Sequence, residues 1–156
     1  MESIKPVIFR LHGEKYGIDI QLVNGIEREQ KIVAVPNSPA NIKGIINMRG
    51  IIVPVYNLAK KFGFADIDSQ NSQLIITRIN DMYLAVEVEG VEEIFDISGA
   101  SLSEVPRIVL GSKTSYIKEV AKVKDELIII IDIDKLLSED EQKDMEEFMS
   151  EHNKTE

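Results

Sequence analysis

Ile51-Ile52-Val53-Pro54-Val55-Tyr56 is a nearly continuous apolar run, and Leu127-Ile128-Ile129-Ile130-Ile131 is another. A half-buried strand alternates apolar with polar residues, so runs without alternation suit strands covered on both faces. Acids bracket the second run, Asp125-Glu126 before it and Asp132 and Asp134 after it, which discourages edge-to-edge aggregation. The two runs belong to a weak repeat. Ile52 to Leu58 followed by Ala59-Lys60-Lys61-Phe62 resembles Leu127 to Ile133 followed by Asp134-Lys135-Leu136-Leu137, 75 residues later.

Upstream of each run the pattern repeats again. Tyr16-Gly17-Ile18-Asp19-Ile20 leading to Val23-Asn24-Gly25-Ile26 resembles Tyr83-Leu84-Ala85-Val86-Glu87-Val88 leading to Val91-Glu92-Glu93-Ile94, about 67 residues later. Each of these stretches is the return arm of a hairpin signal. Val7 to His12 places Val7, Phe9 and Leu11 on one face, turns at Gly13-Glu14 and returns over Lys15 to Ile20. Leu74 to Ile79 turns at Asn80-Asp81 and returns over Met82 to Val88, after which Gly90 marks a bulge or corner. Each copy thus reads hairpin, irregular segment, apolar strand, short helix. A half of about 70 residues makes a small barrel of about five strands, and two packed together bury apolar runs that one alone could not. The expected class is all-β with a few short helices: one domain over 1–156, sub-barrels near 15–65 and 75–137 with strands exchanged at the ends, and an acidic segment over 138–156.

The helix signals are short. Ser38-Pro39 predicts one turn with Ser38 as N-cap, ending at Gly44, and Asn57 to Phe62, stopped by Gly63, predicts another. The clearest lies at the C-terminus, where Ser138 and Glu141 form a capping box ahead of Met145, Phe148 and Met149 on one face. Residues 138–156 hold eight acids against two lysines, so this helix is expected to fray into a solvated tail.

Composition narrows the function. A chain of 156 residues, 44% apolar and 29% charged, is that of a folded protein able to bury about 70% of its unfolded surface. No apolar run approaches the ~20 residues of a membrane span, and Met1-Glu2-Ser3-Ile4-Lys5-Pro6 lacks a secretory stretch, so a cytoplasmic location is expected. The absence of cysteine excludes disulfides, thiolate metal sites and cysteine nucleophiles. A net charge of −9 opposes nucleic acid. That charge is uneven: residues 1–64 carry nine Lys/Arg against five Asp/Glu, and residues 65–156 carry nine against twenty-two. The imbalance either steers an acidic partner to the N-terminal half or is ordinary solvated surface.

No catalytic constellation emerges. His12 and His152 share no local spacing and no metal-ligand pattern, and His12 reads as an exposed turn residue. Gly44, Gly50 and Gly63, with Lys43, Lys60 and Lys61 nearby, build no phosphate-cradling loop. Asp132 and Asp134 alternate at a strand end as metal ligands would, although a helix start explains them better. Neither a metal nor a cofactor is expected. The most informative segment is Asn41 to Val55. Pro54 cannot donate to a ladder, so its strand should lie at an edge or carry a bulge. Arg49, among apolar residues, is either a planar hydrogen-bonding anchor at an interface or an internal clamp on loop carbonyls. An apolar surface with an embedded arginine describes docking better than chemistry.

At these residues the chain resembles the CheW family of chemotaxis coupling proteins. The resemblance runs from about Val7 to Leu137 and rests on Phe9-Arg10-Leu11 with Tyr16-Gly17-Ile18-Asp19-Ile20, on Val35-Pro36-Asn37-Ser38-Pro39, and on Ile42-Lys43-Gly44-Ile45-Ile46-Asn47-Met48-Arg49-Gly50 with Pro54-Val55-Tyr56-Asn57-Leu58. It implies two five-stranded, SH3-like barrels around a shared core, no enzymatic activity, and an adaptor that couples the CheA histidine kinase, through its regulatory domain, to the cytoplasmic tips of methyl-accepting chemoreceptors. Carried over by position, Val23, Ile26, Ile42, Gly44, Asn47, Met48 and Arg49 fall at or near a receptor groove between the barrels. Kinase contacts are unplaced, with the second hairpin and the acidic second half as candidates. Recruitment to membrane-anchored receptor arrays is implied, without insertion into the membrane. Many members carry an acidic or polar residue where this chain has Gly25. The alternative is a small barrel that binds nucleic acid or another ligand, but that needs aromatic platforms, and there is no tryptophan and only five Phe and four Tyr, dispersed.

Overall fold

Four two-residue turns set the strand plan. His12-Gly13, Arg49-Gly50, Asn80-Asp81 and Lys124-Asp125 each hold both residues at positive φ, between 48° and 89°, the turn whose twist matches a pair of antiparallel strands. They join β1 (Pro6–Leu11) to β2 (Glu14–Asp19), β4 (Ile42–Met48) to β5 (Ile51–Asn57), β6 (Gln73–Ile79) to β7 (Met82–Val88), and β10 (Ile117–Val123) to β11 (Glu126–Ile131). The first turn is His12-Gly13 and not Gly13-Glu14, because Glu14 is already paired with Leu11. Among the described residues there follow three further strands, β3 (Val23–Arg28), β8 (Gly90–Ile94) and β9 (Leu102–Ser103), and two α-helices, α1 (Leu58–Lys61) and α2 (Glu139–Asn153), with short 3-10 turns between elements. The structure is a computed structural model that describes residues 2–153 apart from 29, 69, 110, 112 and 113, with side chains described through residue 150. Residues 154–156 of the expected tail and the His152 side chain lie outside the described residues.

Two sheets result, one of five strands in the order β3-β6-β7-β5-β4 and one of six in the order β8-β1-β2-β11-β10-β9. The sixth strand, β9, has only two residues. The leading hairpin of each half sits in the other half's sheet: β5 runs parallel to β7, and β11 runs parallel to β2. The five-stranded unit therefore spans 23–88, while the six-stranded unit takes 6–19 and 90–131, limits that differ from 15–65 and 75–137. The physical reason lies in the two apolar runs. Each needs a neighbour on both edges, its own hairpin mate supplies one, and the hairpin of the opposite half supplies the other. The turns His12-Gly13 and Asn80-Asp81 place the two leading hairpins 68 residues apart, so Tyr16 corresponds to Leu84 rather than to Tyr83. Since strands alternate faces, that single residue decides which core each side chain enters.

Three cores follow from the alternation. Ile8, Ile97, Leu102, Ala121, Ile128 and Ile130 fill the six-stranded unit, and Ile46, Val53, Val55, Leu74, Ile76 and Ala85 fill the five-stranded unit. The residues between them point the other way: Val7, Phe9, Leu11, Tyr56, Ile75, Ile79, Leu84, Val86, Val88 and Ile131 form one large core shared by both sheets. Burying about 25 cal/mol per Å² of apolar surface, this shared layer makes the two units one folding body. Val33 bonds Ile45 in both directions, 2.9 Å each, and draws the segment after β3 back over β4. Gly44 lies under that strap, where an added Cβ would stand 2.3 Å from the Val33 carbonyl oxygen. Gly44→Ala is expected to cost about 3 kcal/mol in chemical denaturation, through overpacking or loss of the strap. Faster amide exchange at Val33 and Ile45 would distinguish a lifted strap.

Three local expectations change. Pro54 is not on an edge strand, since β5 lies between β7 and β4. It faces Ile45, whose backbone groups are both taken by Val33, and the ladder to β7 begins only at Val55, so no neighbour needs its missing N–H. The irregularity is a register shift in β4 between Ile42 and Gly44. Ser38-Pro39 opens no helix, because Ile42 is already the first residue of β4; the Ser38 hydroxyl donates to the Ile42 carbonyl (3.1 Å) and closes a turn instead. The C-terminal helix does not fray over the described residues. The capping box is made, Glu141 N–H to Ser138 Oγ at 3.1 Å, and Met145 and Phe148 enter the shared core.

Glu141 holds α2 down with its side chain. It accepts from Lys61 Nζ (2.6 Å) and from the Tyr56 hydroxyl (2.9 Å). Burial raises this carboxyl, but the bonds from Lys61 and Tyr56 outweigh it and leave the group below its ordinary value. Burial and the neighbouring Glu141 charge raise the Tyr56 phenol. A depressed carboxylate stabilises the fold above its unfolded value, and that stability goes as the pH falls through the folded value. The parent is therefore expected to lose thermal stability below about pH 4.5 more steeply than Glu141→Gln. Melting curves from pH 6 to pH 3 measure the difference.

Candidate docking surface at the mouth of the five-stranded unit

The β4–β5 turn carries the arginine of the informative segment. Arg49 sits at φ 53° and Gly50 at φ 89°. Asn47, not the arginine, fastens the turn, its side-chain oxygen accepting from the Gly50 amide at 2.8 Å. Among the described residues the Arg49 guanidinium bonds a carboxylate and no loop carbonyl, which sets aside the clamp considered for it. The guanidinium instead reaches across the barrel mouth to Glu27 on β3, 3.3 Å away, with 83% of its side chain exposed. A left-handed φ is costly for a residue with a Cβ, so the fold holds this arginine outward at the expense of local strain.

Between the turn and β3 lies a hollow of about 330 Å³, lined by Asn24, Gly25, Ile26, Glu27, Met48, Arg49, Ile51, Ile76 and Tyr83. Ile26 and Ile51 are exposed at its rim. The seven residues singled out in the sequence divide here. Ile26, Met48 and Arg49 line the hollow, with Asn47 in the adjoining turn. Val23 stands at the start of β3 and packs against the shared core. Ile42 is buried in that core, and Gly44 is buried under Val33, so neither offers surface to a partner. Ile51 and Tyr83, which sequence reasoning missed, complete the mouth. The signal for them is indirect: Ile51 pairs with Met48 across the turn, and Tyr83 alternates away from the shared core.

A second hollow, about 560 Å³, opens in the six-stranded unit beside the corresponding turn Lys124-Asp125. Phe95, Ile97, Val123 and Ile128 line it, with Lys15, Lys122 and Lys124 and the acids Glu93, Asp96 and Glu126 around them. The other sequence candidates behave as ordinary structure. His12 is an exposed turn residue stacked on Phe64, 4.2 Å between ring centres. Asp132 accepts from the Asp134 amide (3.1 Å) and starts a short helical turn. Among the described residues no group of three or more His, Asp or Glu could hold a metal, and no helix is long and apolar enough to cross a membrane.

Twin β-units fused through one core, each with an open hollow beside a hairpin turn, have the architecture of a docking body. The CheW-like domain model matches residues 5–141, and the chain belongs to that family. It is 31% identical over 145 residues to a chemotaxis protein CheW of Treponema pallidum, covering 90% of this chain and 85% of the relative. A chemotaxis protein CheW of Klebsiella aerogenes is 30% identical over 136 residues, covering 86% and 82%. The solved structure of the scaffolding protein TtCheW from Thermoanaerobacter tengcongensis matches with a TM-score of 0.77 and 34% identity, over 86% of this chain and 92% of that one. The chain is a non-catalytic chemotaxis scaffold, or adaptor, and the ligand-binding or nucleic-acid alternative is not favoured.

Proposed function

We propose that the mouth of the five-stranded unit takes the helical cytoplasmic tip of a chemoreceptor, while the six-stranded unit takes the regulatory domain of the CheA kinase, in a cytoplasmic complex recruited to receptor arrays. The observation that carries the receptor assignment is Arg49, held outward at a left-handed φ beside an apolar hollow. A helix laid along β3 would meet Val23 and Ile26 on one side and Asn47, Met48, Arg49 and Ile51 on the other. For the kinase, the second hairpin offers little, since β6 and β7 are buried on both faces apart from their turn and Gln73, Arg78, Met82 and Tyr83. The larger hollow of the six-stranded unit offers more. Standard interfaces bury about 800 Å² per partner, and the two mouths belong to different sheets, so both can be occupied together.

The test is binding of a receptor-tip helical hairpin and of the kinase regulatory domain, separately and together. The expected result is simultaneous binding, with Ile26→Asp losing the receptor fragment and keeping the kinase domain. A folded Ile26→Asp variant that bound the receptor fragment as tightly as the parent would overturn the assignment.

A further inference from the structure

The unit repeat exposes a site for covalent change. β3 and β8 correspond over Val23–Ile26 and Val91–Ile94, and each carries one extra, unladdered residue at the same place. Val23 pairs with Thr77 and Gly25 with Ile76, leaving Asn24 as the bulged residue. Val91 pairs with Phe9 and Glu93 with Ile8, leaving Glu92. In the six-stranded unit that bulged carboxylate bonds Arg10 and lies 3.4 Å from Lys15. Arg78 stands in the five-stranded unit where Arg10 stands in the other, each two residues before its turn. It is half exposed, and its ion pair is with the strongly exposed Asp81. The five-stranded unit thus keeps the arginine and has an amide where its twin has an acid.

That amide precedes a glycine, the sole Asn-Gly step in the chain. Asn24 is exposed, and among the described residues nothing beyond Gly25 and its chain neighbours lies within 4 Å of the place a Gly25 Cβ would occupy. We propose that Asn24 is a deamidation site, and that its conversion to a carboxylate adds a negative charge to the docking mouth. The deprotonated Gly25 amide nitrogen attacks Asn24 Cγ, a C–N bond forms, and ammonia leaves, giving a succinimide. Water then opens either carbonyl, yielding aspartate or isoaspartate, so the net change is amide plus water to acid plus ammonia. The aspartate product puts a carboxylate where the twin position already holds Glu92, whereas the isoaspartate product also reroutes the main chain through the former side chain. The consequence rests on the proposed receptor surface: the new charge joins Glu27 beside Arg49 and opposes an acid-bearing partner.

The test separates the two claims. Intact protein is held at mildly alkaline pH and digested with trypsin, and the peptide of residues 16–28 is followed by mass and by isoaspartate content. The expected result is conversion at Asn24 ahead of Asn37 and Asn71, which precede serine, and suppression by Gly25→Ala, a change with open space around it. A folded protein that stays unmodified while the free synthetic peptide converts would show that the strand protects the site and overturn the proposal. Asn24→Asp is expected to melt like the parent and to bind the receptor-tip fragment at least about threefold more weakly. Parent-like binding would overturn the regulatory claim while leaving the mass result intact. If even the parent fails to bind that fragment, the receptor assignment falls instead.

Discussion

Cut within the connection between α1 and β6, the two halves of this chain are expected to be unfolded apart and to fold when mixed. The first half keeps the β1–β2 hairpin, β3 and the β4–β5 hairpin, but β1 loses β8, β2 loses β11 and β3 loses β6. The second half keeps β6 to β11, yet β7 loses β5 and β8 loses β1. Neither half retains a complete sheet, the shared core is split, and an isolated hairpin is marginal in water. Circular dichroism and amide dispersion should report two disordered fragments and one native-like mixture. The charges favour reunion, since residues 1–64 carry a balance of +4 and residues 65–156 a balance of −13. Association should therefore slow as salt rises. Either half giving a cooperative thermal transition alone would show that the hairpin exchange is dispensable.

The exchange also marks where the sequence stops being legible. Ile51–Tyr56 and Leu127–Ile131 announce strands buried on two faces, and Asn80-Asp81 and Asn57 with Gly63 announce a turn and a helix that the structure contains. Periodicity says which residues leave water; it does not say which of two similar sheets receives them. Ile8 enters one core while Val7 and Phe9 enter another, and nothing in Val7-Ile8-Phe9 distinguishes those destinations. Capping chemistry misled at Ser38 because a serine before proline closes a turn as readily as it opens a helix. Charge misled at α2, where eight acids suggested a solvated tail. The energetics there rest on Phe148, Met145 and the bonds from Lys61 and Tyr56 to Glu141. Met48 and Arg49 lie in the segment read as an apolar strip around a cation, whereas Ile26 was reached only through the family resemblance; all three line one hollow. Ile42 and Gly44 were not legible as interior, because family position cannot tell a surface contact from the residue that supports it.

Arg49→Asn is expected to stabilise the free protein and weaken its docking. The turn places residue 49 at φ 53°, a conformation that costs a side chain with a Cβ about 1 kcal/mol and that asparagine tolerates best. Asn-Gly at 49–50 is the favoured pair for this turn, and the Asn47 bond to the Gly50 amide is untouched. Among the described residues, the interaction forfeited in the free protein is the exposed pair with Glu27, which contributes under about 1 kcal/mol. A rise of a few degrees in melting temperature is therefore expected. Docking moves the other way, because an arginine beside a hollow of about 330 Å³ becomes desolvated when a helix covers it, and such anchors are commonly worth about 2 kcal/mol or more, some thirtyfold in affinity. Calorimetry on the receptor-tip fragment, paired with a melting curve on the same sample, reads both effects at once. A variant less stable than the parent would show that Glu27 outweighs the turn strain, and a variant of unchanged affinity would place the anchor elsewhere on the rim. The combination of a firmer fold and a weaker complex is the signature of a residue retained for its partner at the expense of its own turn.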